Sequence, residues 1–262
     1  MTMLQLAVLA LVQGITEFLP ISSSGHLVLT SRVFGWPDQG LSIDVAVHAG
    51  TLLAVVVYFR RDLARIVAGL GETGQASTRP LAGMLAVATV PVGAAGLVLH
   101  EVAPQGLRDP AMIAWATIGF GLVLWGADRF GMTLRRIEHM TWGAALTIGL
   151  AQVLALIPGT SRSGITMTAA RVMGFEREAA ARFSLLLSIP VTAAAALLAG
   201  LDIHRVGDIR LTEAALIAAG LAFVAALVAI WAMLAWLRRS SFMPFVIYRI
   251  VLGVALLVWL YG

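Results

Sequence analysis

The chain has 262 residues, 60% of them hydrophobic and 12% charged, whereas a soluble domain carries about 25% charged residues, so the composition predicts an all-α polytopic membrane protein. The absence of cysteine excludes disulfides and thiolate metal sites, and because all 18 basic residues are arginine, lysine Schiff-base chemistry is excluded too. The net charge of +4 does not indicate nucleic-acid binding, because the arginines lie in short segments between apolar runs.

The first predicted element is a broken apolar segment at about residues 4–33. Its first apolar run ends near residue 12 and is too short to cross a bilayer, which takes about 20 residues. Pro20 and Gly25 then interrupt the helix before a second short arm. Two short arms around a break predict a re-entrant hairpin, and a single transmembrane helix kinked at Pro20 is the alternative. No cleavable signal peptide is expected, because the N-terminus lacks a basic region.

Apolar runs long enough to span a membrane follow at about 43–59, 81–99 and 111–127. A second broken segment covers about 142–174, and three more spans are predicted at about 179–199, 212–236 and 244–260. We therefore divide the chain into a first repeat, residues 1–130, and a second repeat, residues 138–262, within one integrated membrane domain.

The two halves resemble each other in sequence. A shift of 139 residues places Gln13 on Gln152, Ser22 on Ser161 and Gly25 on Gly164. Each half has one hairpin and three spans, an odd number, so the second half is predicted to insert upside down as an inverted-topology repeat. With the loop after the first span in the cytoplasm, twelve arginines lie inside and four outside, as the positive-inside rule requires; Arg162 and Arg249 are not counted, because they lie in a loop motif and within a span. The two broken segments then enter from opposite faces and meet near the midplane.

The first broken segment concentrates polar groups in an apolar surrounding. A carboxylate at membrane depth costs at least ~2.5–3.5 kcal/mol, which indicates either a buried partner or a wet cavity. Glu17, Ser23 and His26 are the candidate catalytic groups. The candidate substrate contacts here are Gln13, Ser22, Ser24 and Gly25. The alternative is structural, with Glu17 paired to an arginine and a serine capping the second arm.

The matching loop of the second half contains Arg162, whose planar fork of donors suits phosphate. A buried ion pair with Glu17 is its structural alternative, and both can hold. The candidate substrate contacts around it are Thr160, Ser161, Ser163 and Gly164. Arg249 lies inside the last predicted span and is expected either to contact the anionic site or to bridge helices.

Placed face to face, the two loops supply the groups for phosphoryl transfer: a hydroxyl nucleophile, a base, an arginine and helix N-termini. Surrounding lipid makes a lipid-linked phosphate the natural substrate. We expect Arg162 and loop amides to bind the diphosphate, Ser23 to attack, and Glu17 or His26 to take its proton.

The stretches Gln13-Gly-Ile-Thr-Glu17-Phe-Leu-Pro-Ile-Ser-Ser-Ser-Gly-His26 and Pro158-Gly-Thr-Ser-Arg162-Ser-Gly164 resemble the two signatures of the bacterial undecaprenyl-diphosphate phosphatase family, also called the bacitracin resistance protein family. The resemblance runs along the whole chain, through Phe242-Met-Pro-Phe-Val-Ile-Tyr-Arg249. It implies an enzyme of the bacterial cytoplasmic (inner) membrane that removes the terminal phosphate of undecaprenyl diphosphate. The product carries peptidoglycan precursors, and the activity gives tolerance to bacitracin.

The resemblance also implies roles for individual residues: Ser23 or His26 as nucleophile, Arg162 on the phosphate, and a site accessible from the outer face. It implies a Mg²⁺ or Ca²⁺ ion with Glu17 as a ligand. Gln13 stands where many members of the family have glutamate, which weakens schemes with two carboxylates on the metal. The expected partners are the lipid substrate and membrane lipids, no nucleic acid is expected, and the sequence leaves a homodimer open.

Two other functions compete with hydrolysis by this family. Inverted repeats with broken helices are typical of transporters, so a polyprenyl-phosphate flippase is the alternative. A second lipid phosphatase superfamily uses Pro-Ser-Gly-His and Ser-Arg-x₅-His segments, which Ser24-Gly25-His26 and Ser161-Arg162 resemble in part. The residue six positions after Arg162 is Thr168 rather than histidine, so that constellation is incomplete.

Overall fold

The computed structural model describes residues 2–36, 41–69, 79–102, 109–206 and 213–262. These residues form helices and connecting turns, with no β-strand in the described ranges. In chain order the helices are α1 (Met3–Thr16), α2 (Ser23–Val33), α3 (Leu41–Tyr58), α4 (Arg60–Gly69), α5 (Arg79–Val102), α6 (Pro110–Phe130), α7 (Trp142–Gln152), α8 (Arg162–Val172), α9 (Arg177–Val206), α10 (Glu213–Leu237) and α11 (Met243–Tyr261).

The lengths and hydropathy of these helices confirm a polytopic all-α membrane protein. Among the described residues, five segments are long and apolar enough to cross a membrane, and they lie in α5, α6, α9, α10 and α11. A sixth is obtained if α3 and α4, which meet at a bend of 71°, count as one broken span. The division into two repeats and their inverted insertion stay predictions.

Both predicted broken segments consist of two short helices with a turn between them. Thr2 caps α1 by accepting a hydrogen bond from the Gln5 backbone, and Thr141 caps α7 in the same way through Ala144. The helix α1 ends at Thr16, before Pro20, so the chain leaves the helix ahead of the proline rather than kinking at it. In the second segment a short 3₁₀ turn, Val153–Leu156, separates α7 from the loop.

Small residues allow the helices around these loops to pack closely. The helix α10 contacts both α1 and α3, and α11 packs along α6. A Cβ atom on Gly14 would lie 2.6 Å from the Ala222 carbonyl oxygen of α10. The polar helix α8 is enclosed by α6, α7 and α9, so the second loop is built into the protein interior rather than exposed to lipid.

A buried ion cluster fixes the C-terminal end of α8. Asp128 of α6 accepts hydrogen bonds from Arg171 Nε at 3.2 Å and Arg177 Nε at 2.7 Å. Its other oxygen accepts from the Phe242 backbone at 3.1 Å, just before α11. Arg171 is fully buried and donates further bonds to backbone carbonyls. The cluster thus ties α6, α8, α9 and the start of α11 into one framework that supports the loop at the other end of α8.

Candidate active site

The first loop begins where α1 ends. Glu17 extends the last turn of α1, because its N–H donates to the Gln13 carbonyl oxygen at 3.0 Å. The Gln13 side chain is fully buried, and its Nε2 donates to Glu17 Oε2 at 2.9 Å, as their spacing of four residues predicts. The chain then turns through Pro20, and α2 starts at Ser23.

The second loop repeats this construction at the start of α8. Ser161 precedes the helix and caps it, accepting a hydrogen bond from the Gly164 N–H at 3.1 Å. Ser22 and Ser161 share the same unusual backbone angle, φ 73°, which side-chain-bearing residues adopt only at a cost. Both loops therefore turn in the same strained way directly before a helix N-terminus.

The two loops meet at Glu17. Arg162 lies 2.8 Å from Glu17 Oε1, and Ser23 Oγ donates to Glu17 Oε2 at 2.7 Å. Ser163 Oγ, from the second loop, donates to the Leu19 carbonyl oxygen of the first loop at 2.8 Å. The structure thus brings together three of the predicted catalytic residues. It also shows that the ion pair expected as the structural alternative for Arg162 is present.

Several polar oxygens around this junction have no partner among the described residues. They belong to buried side chains and are Gln13 Oε1, Ser22 Oγ and Thr160 Oγ1. Buried polar atoms in native proteins are almost always hydrogen-bonded, to protein or to ordered water. Gln13 bonds to Glu17, and Ser22 and Thr160 belong to the two loops, so these oxygens indicate that water or a polar ligand belongs there.

Arg249 contacts the backbone of both loops. It is fully buried, and its guanidinium donates to the carbonyl oxygens of Pro20 at 3.2 Å and Thr160 at 2.9 Å, one in each loop. Its remaining donors go to the carbonyls of Gly159, Ala116 and Thr117. All its donors go to backbone carbonyls, so of the two expected roles the geometry favours a bridge, here between the two loops and α6, and a contact of Arg249 with substrate stays a prediction.

The glycines and remaining hydroxyls of the loops are mostly used within the fold. A Cβ atom on Gly164 would lie 3.1 Å from Arg249 Nη1, and one on Gly25 would lie 3.3 Å from Ile113. Both glycines therefore provide space for packing, and the Gly164 N–H is already bonded to Ser161. Ser161 and Ser163 contact each other at 3.1 Å. The Ser24 side chain lies outside the described part of the chain.

Among the described residues, the His26 ring hydrogen-bonds to groups other than Ser23. Its Nδ1 lies 2.6 Å from the Ser22 carbonyl oxygen, and its Nε2 lies 2.5 Å from the hydroxyl of Tyr248. Of the two bases that the sequence left open, Glu17 is the one that receives the Ser23 hydrogen bond. Sequence reasoning missed Tyr248, although it stands next to Arg249 in the last quoted stretch.

A second imidazole approaches the carboxylate from α3. His48 Nε2 lies 3.9 Å from Glu17 Oε2, and its Nδ1 lies 2.7 Å from the Asp44 carbonyl oxygen. In the described ranges no group of three or more His, Cys, Asp or Glu side chains could hold a metal ion. Glu17 is thus approached by an imidazole of α3 as well as by Arg162 and Ser23.

Comparisons with known proteins agree with the motifs. The family described as "Bacitracin resistance protein BacA" matches residues 6–255. The chain is 51% identical to "Undecaprenyl-diphosphatase 1" of Rhodospirillum rubrum, over 100% of this chain and 96% of that protein. It is also 51% identical to "Undecaprenyl-diphosphatase" of Hahella chejuensis, over 100% and 99%. It is 47% identical to the protein of the same name in Roseobacter denitrificans, over the full length of both.

Proposed function

Because the chain belongs to the bacitracin resistance protein BacA family, we propose that it hydrolyses undecaprenyl diphosphate to undecaprenyl phosphate and inorganic phosphate. This reaction recycles the lipid carrier of peptidoglycan synthesis and gives resistance to bacitracin. The observation that carries the proposal is the junction at Glu17, where Ser23 of one loop and Arg162 of the other bond to the same carboxylate. A nucleophile, a base and a phosphate-binding cation are the minimal set for phosphoryl transfer.

In the first step, Arg162 and the free N–H groups at the start of α2 bind the terminal phosphate. Binding shifts Arg162 from Glu17 Oε1 to the phosphate, while Glu17 Oε2, which accepts the Ser23 hydrogen bond, acts as the base. Ser23 Oγ then attacks the terminal phosphorus while its proton passes to Glu17, along a hydrogen bond of 2.7 Å. The bond between phosphorus and the bridging oxygen breaks, and undecaprenyl phosphate leaves.

The decisive experiment measures inorganic phosphate released by the purified protein in detergent. We expect release from undecaprenyl diphosphate and none from undecaprenyl phosphate, because attack displaces a phosphate-bearing leaving group. Detergent micelles have no two sides, so a flippase would release nothing in this assay. Absence of release from the diphosphate, by protein that shows a cooperative thermal transition, would contradict the proposal.

The resemblance implies a divalent cation, Mg²⁺ or Ca²⁺, and two side chains of the first loop region carry oxygen atoms that could coordinate such an ion. Glu17 supplies a carboxylate, and Gln13 Oε1 is buried and unpartnered among the described residues. Few protein ligands suit Mg²⁺, which keeps water and substrate phosphates in its coordination shell. We propose that Glu17 and Gln13 would hold the ion, which when bound neutralises charge on the phosphates.

EDTA should abolish phosphate release, and added Mg²⁺ or Ca²⁺ should restore it. Because Gln13 contributes a neutral oxygen, Gln13→Glu should lower the metal concentration needed for half-maximal activity by about tenfold, through one added negative charge on the ion. The measurement is a titration of EDTA-treated protein with each metal. Full activity in EDTA would show that phosphate release needs no divalent cation.

An apolar cavity of about 600 Å³ adjoins the first loop and supports a prenyl substrate. It lies between α1, α10 and α11, and its residues near the loop are Leu19 and Ile15. Leu19 also accepts the hydrogen bond of Ser163, so the cavity ends beside the junction of the loops. We propose that it receives the isoprenoid units nearest the diphosphate.

Ala232→Trp, which fills this cavity, should raise KM for undecaprenyl diphosphate by about tenfold and leave kcat within twofold. The reason is that the lost contacts are made equally in the bound substrate and the transition state. The matched control is Ala86→Trp, an exposed alanine on α5 away from the cavity. Equal KM values for the two variants would contradict this location of the tail.

The chain is a multi-pass membrane protein, and we propose that it lies in the bacterial cytoplasmic membrane with its site open to the outer face. The distribution of arginines supports this orientation. Since the chain has no cysteine, a single cysteine at Ser240, between α10 and α11, is a clean probe. We expect Ser240→Cys to be inaccessible to an impermeant reagent in intact cells, because this segment should lie in the cytoplasm. Labelling under these conditions would contradict the proposed orientation.

A further inference from the structure

Tyr248, on α11, makes a direct contact with the histidine of the first loop. Its hydroxyl lies 2.5 Å from His26 Nε2, and the two rings stack with centroids 5.6 Å apart and planes 9° apart. The two residues are 222 positions apart in the chain. The next residue, Arg249, fastens both loops, so α11 positions Tyr248 and the loops together.

The partners of His26 determine the hydrogen positions on its ring. The Ser22 carbonyl oxygen can only accept, so the His26 Nδ1 at 2.6 Å must carry a hydrogen. In the neutral ring Nε2 is then the acceptor, and the Tyr248 hydroxyl donates to it. These two contacts select the tautomer with its hydrogen on Nδ1, and the Tyr248 hydroxyl occupies the only acceptor nitrogen of the ring.

His26 also lies near the nucleophile. It follows Ser23 by three residues on α2, a spacing that puts two side chains on neighbouring positions of one helix face. Yet Ser23 donates to Glu17, not to His26. His26 is thus close to the place where a phosphoserine would form, but with its lone pair held by Tyr248.

We propose that Tyr248 is a positioning residue that acts through His26 in the second half of the reaction. This rests on the proposed function. Tyr248 holds the imidazole in one tautomer beside Ser23 and releases Nε2 when a phosphate oxygen of the bound substrate accepts the tyrosine hydrogen bond. His26 then serves as the base for the water that hydrolyses the phosphoserine.

The step balances. The water oxygen forms a bond to phosphorus as one water proton passes to His26 Nε2. The bond between phosphorus and Ser23 Oγ breaks, and Ser23 recovers the proton that Glu17 took in the first step. Inorganic phosphate leaves, and the imidazolium returns its proton to solvent.

Tyr248→Phe tests this, because it keeps the stacked ring and removes only the hydroxyl. We expect kcat to fall about tenfold while KM stays within twofold. The fall in kcat is smaller than the roughly 10²–10⁴-fold effect of losing a general base, because His26 itself remains. Because the second step is slowed, phosphoserine at Ser23 should accumulate in rapidly quenched samples of the variant. The matched control is Tyr261→Phe, on the same helix and exposed, which should behave as the natural protein.

A double substitution separates action through His26 from a general effect on the fold. If Tyr248 acts only through His26, adding Tyr248→Phe to His26→Gln should cause no further loss of kcat. Additive losses, or an unchanged kcat in Tyr248→Phe, would overturn the proposal. A natural protein that releases no phosphate would instead overturn the proposed function, so the two failures are distinguishable.

Discussion

Glu17→Gln should lower kcat/KM for phosphate release by about 10³-fold, a typical loss when a general base is removed. Glutamine has the same shape and can still accept the Ser23 hydrogen bond, but it cannot take the proton. It also removes the negative charge opposite Arg162, at 2.8 Å. The measurement is phosphate release from undecaprenyl diphosphate, with thermal unfolding in detergent to verify the fold.

The matched control is Glu176→Gln, which makes the same substitution in an exposed ion pair with Arg136 at 3.4 Å. Exposed pairs contribute about 0–1 kcal/mol, so this variant should keep its activity and stability. If Glu17→Gln retained more than about a tenth of the activity, Glu17 would not be the base, and the bond from Ser23 would be structural.

Ser23→Ala should lose phosphate release to a similar extent, because the nucleophile and base act in one step. Adding Ser23→Ala to Glu17→Gln should then cost little more than either change alone. Ser163→Ala is the comparison in the other loop, where the hydroxyl bonds to the Leu19 carbonyl and is not expected to attack. Activity remaining in Ser23→Ala would assign the attack to another group.

Arg249→Met should cause the largest loss of stability, together with a loss of activity greater than about 100-fold. Five backbone carbonyls lose a bond from Arg249; those of Pro20 and Thr160 lie in the loops, outside the helices, and each buried group left unsatisfied costs about 1–3 kcal/mol. Partial rescue by water leaves several kcal/mol, which corresponds to a fall in Tm of roughly 5–10 °C or more. Activity falls because the loops lose their register, and a displacement of about 1 Å can cost 10²-fold.

This variant also decides between the two roles that the sequence left open for Arg249. Loss of a substrate contact would raise KM and leave Tm unchanged, whereas loss of the loop fastener lowers Tm first. Arg239→Met is the control, since Arg239 is exposed near the end of α10 and should show neither change. Arg249→Lys should remain unstable, because one ammonium cannot reach carbonyls in both loops and in α6.

The sequence was sufficient to predict the helical membrane fold and the junction of the two loops. Hydropathy gave the long helices, and the match of Gln13 and Ser22 with Gln152 and Ser161 indicated two equivalent breaks. An arginine and a carboxylate at membrane depth must find opposite charge, which is why the contact between Arg162 and Glu17 could be anticipated.

The sequence did not determine which side chains from distant helices complete the site. Whether position 248 or 249 of α11 faces the loops depends on how α11 packs along α6, and that rotation is set by tertiary contacts. The sequence therefore leaves two roles open for Arg249 and gives no signal for Tyr248. The spacing within α2 leaves His26 as a second candidate base for Ser23, because it cannot show that the ring bonds to Tyr248 and to the Ser22 carbonyl.

At Ser22 and Ser161, which have a left-handed backbone, the residue that best suits the stability of the fold differs from the one the protein has. Glycine would adopt φ 73° without steric cost, so a search for heat-resistant variants should favour it at both places. At Ser161 the exchange would forfeit the bond to the Gly164 amide, but the Ser22 hydroxyl has no partner among the described residues. Since no described group bonds to that hydroxyl, Ser22→Gly should cost the fold little, and any loss of phosphate release would come from the missing hydroxyl.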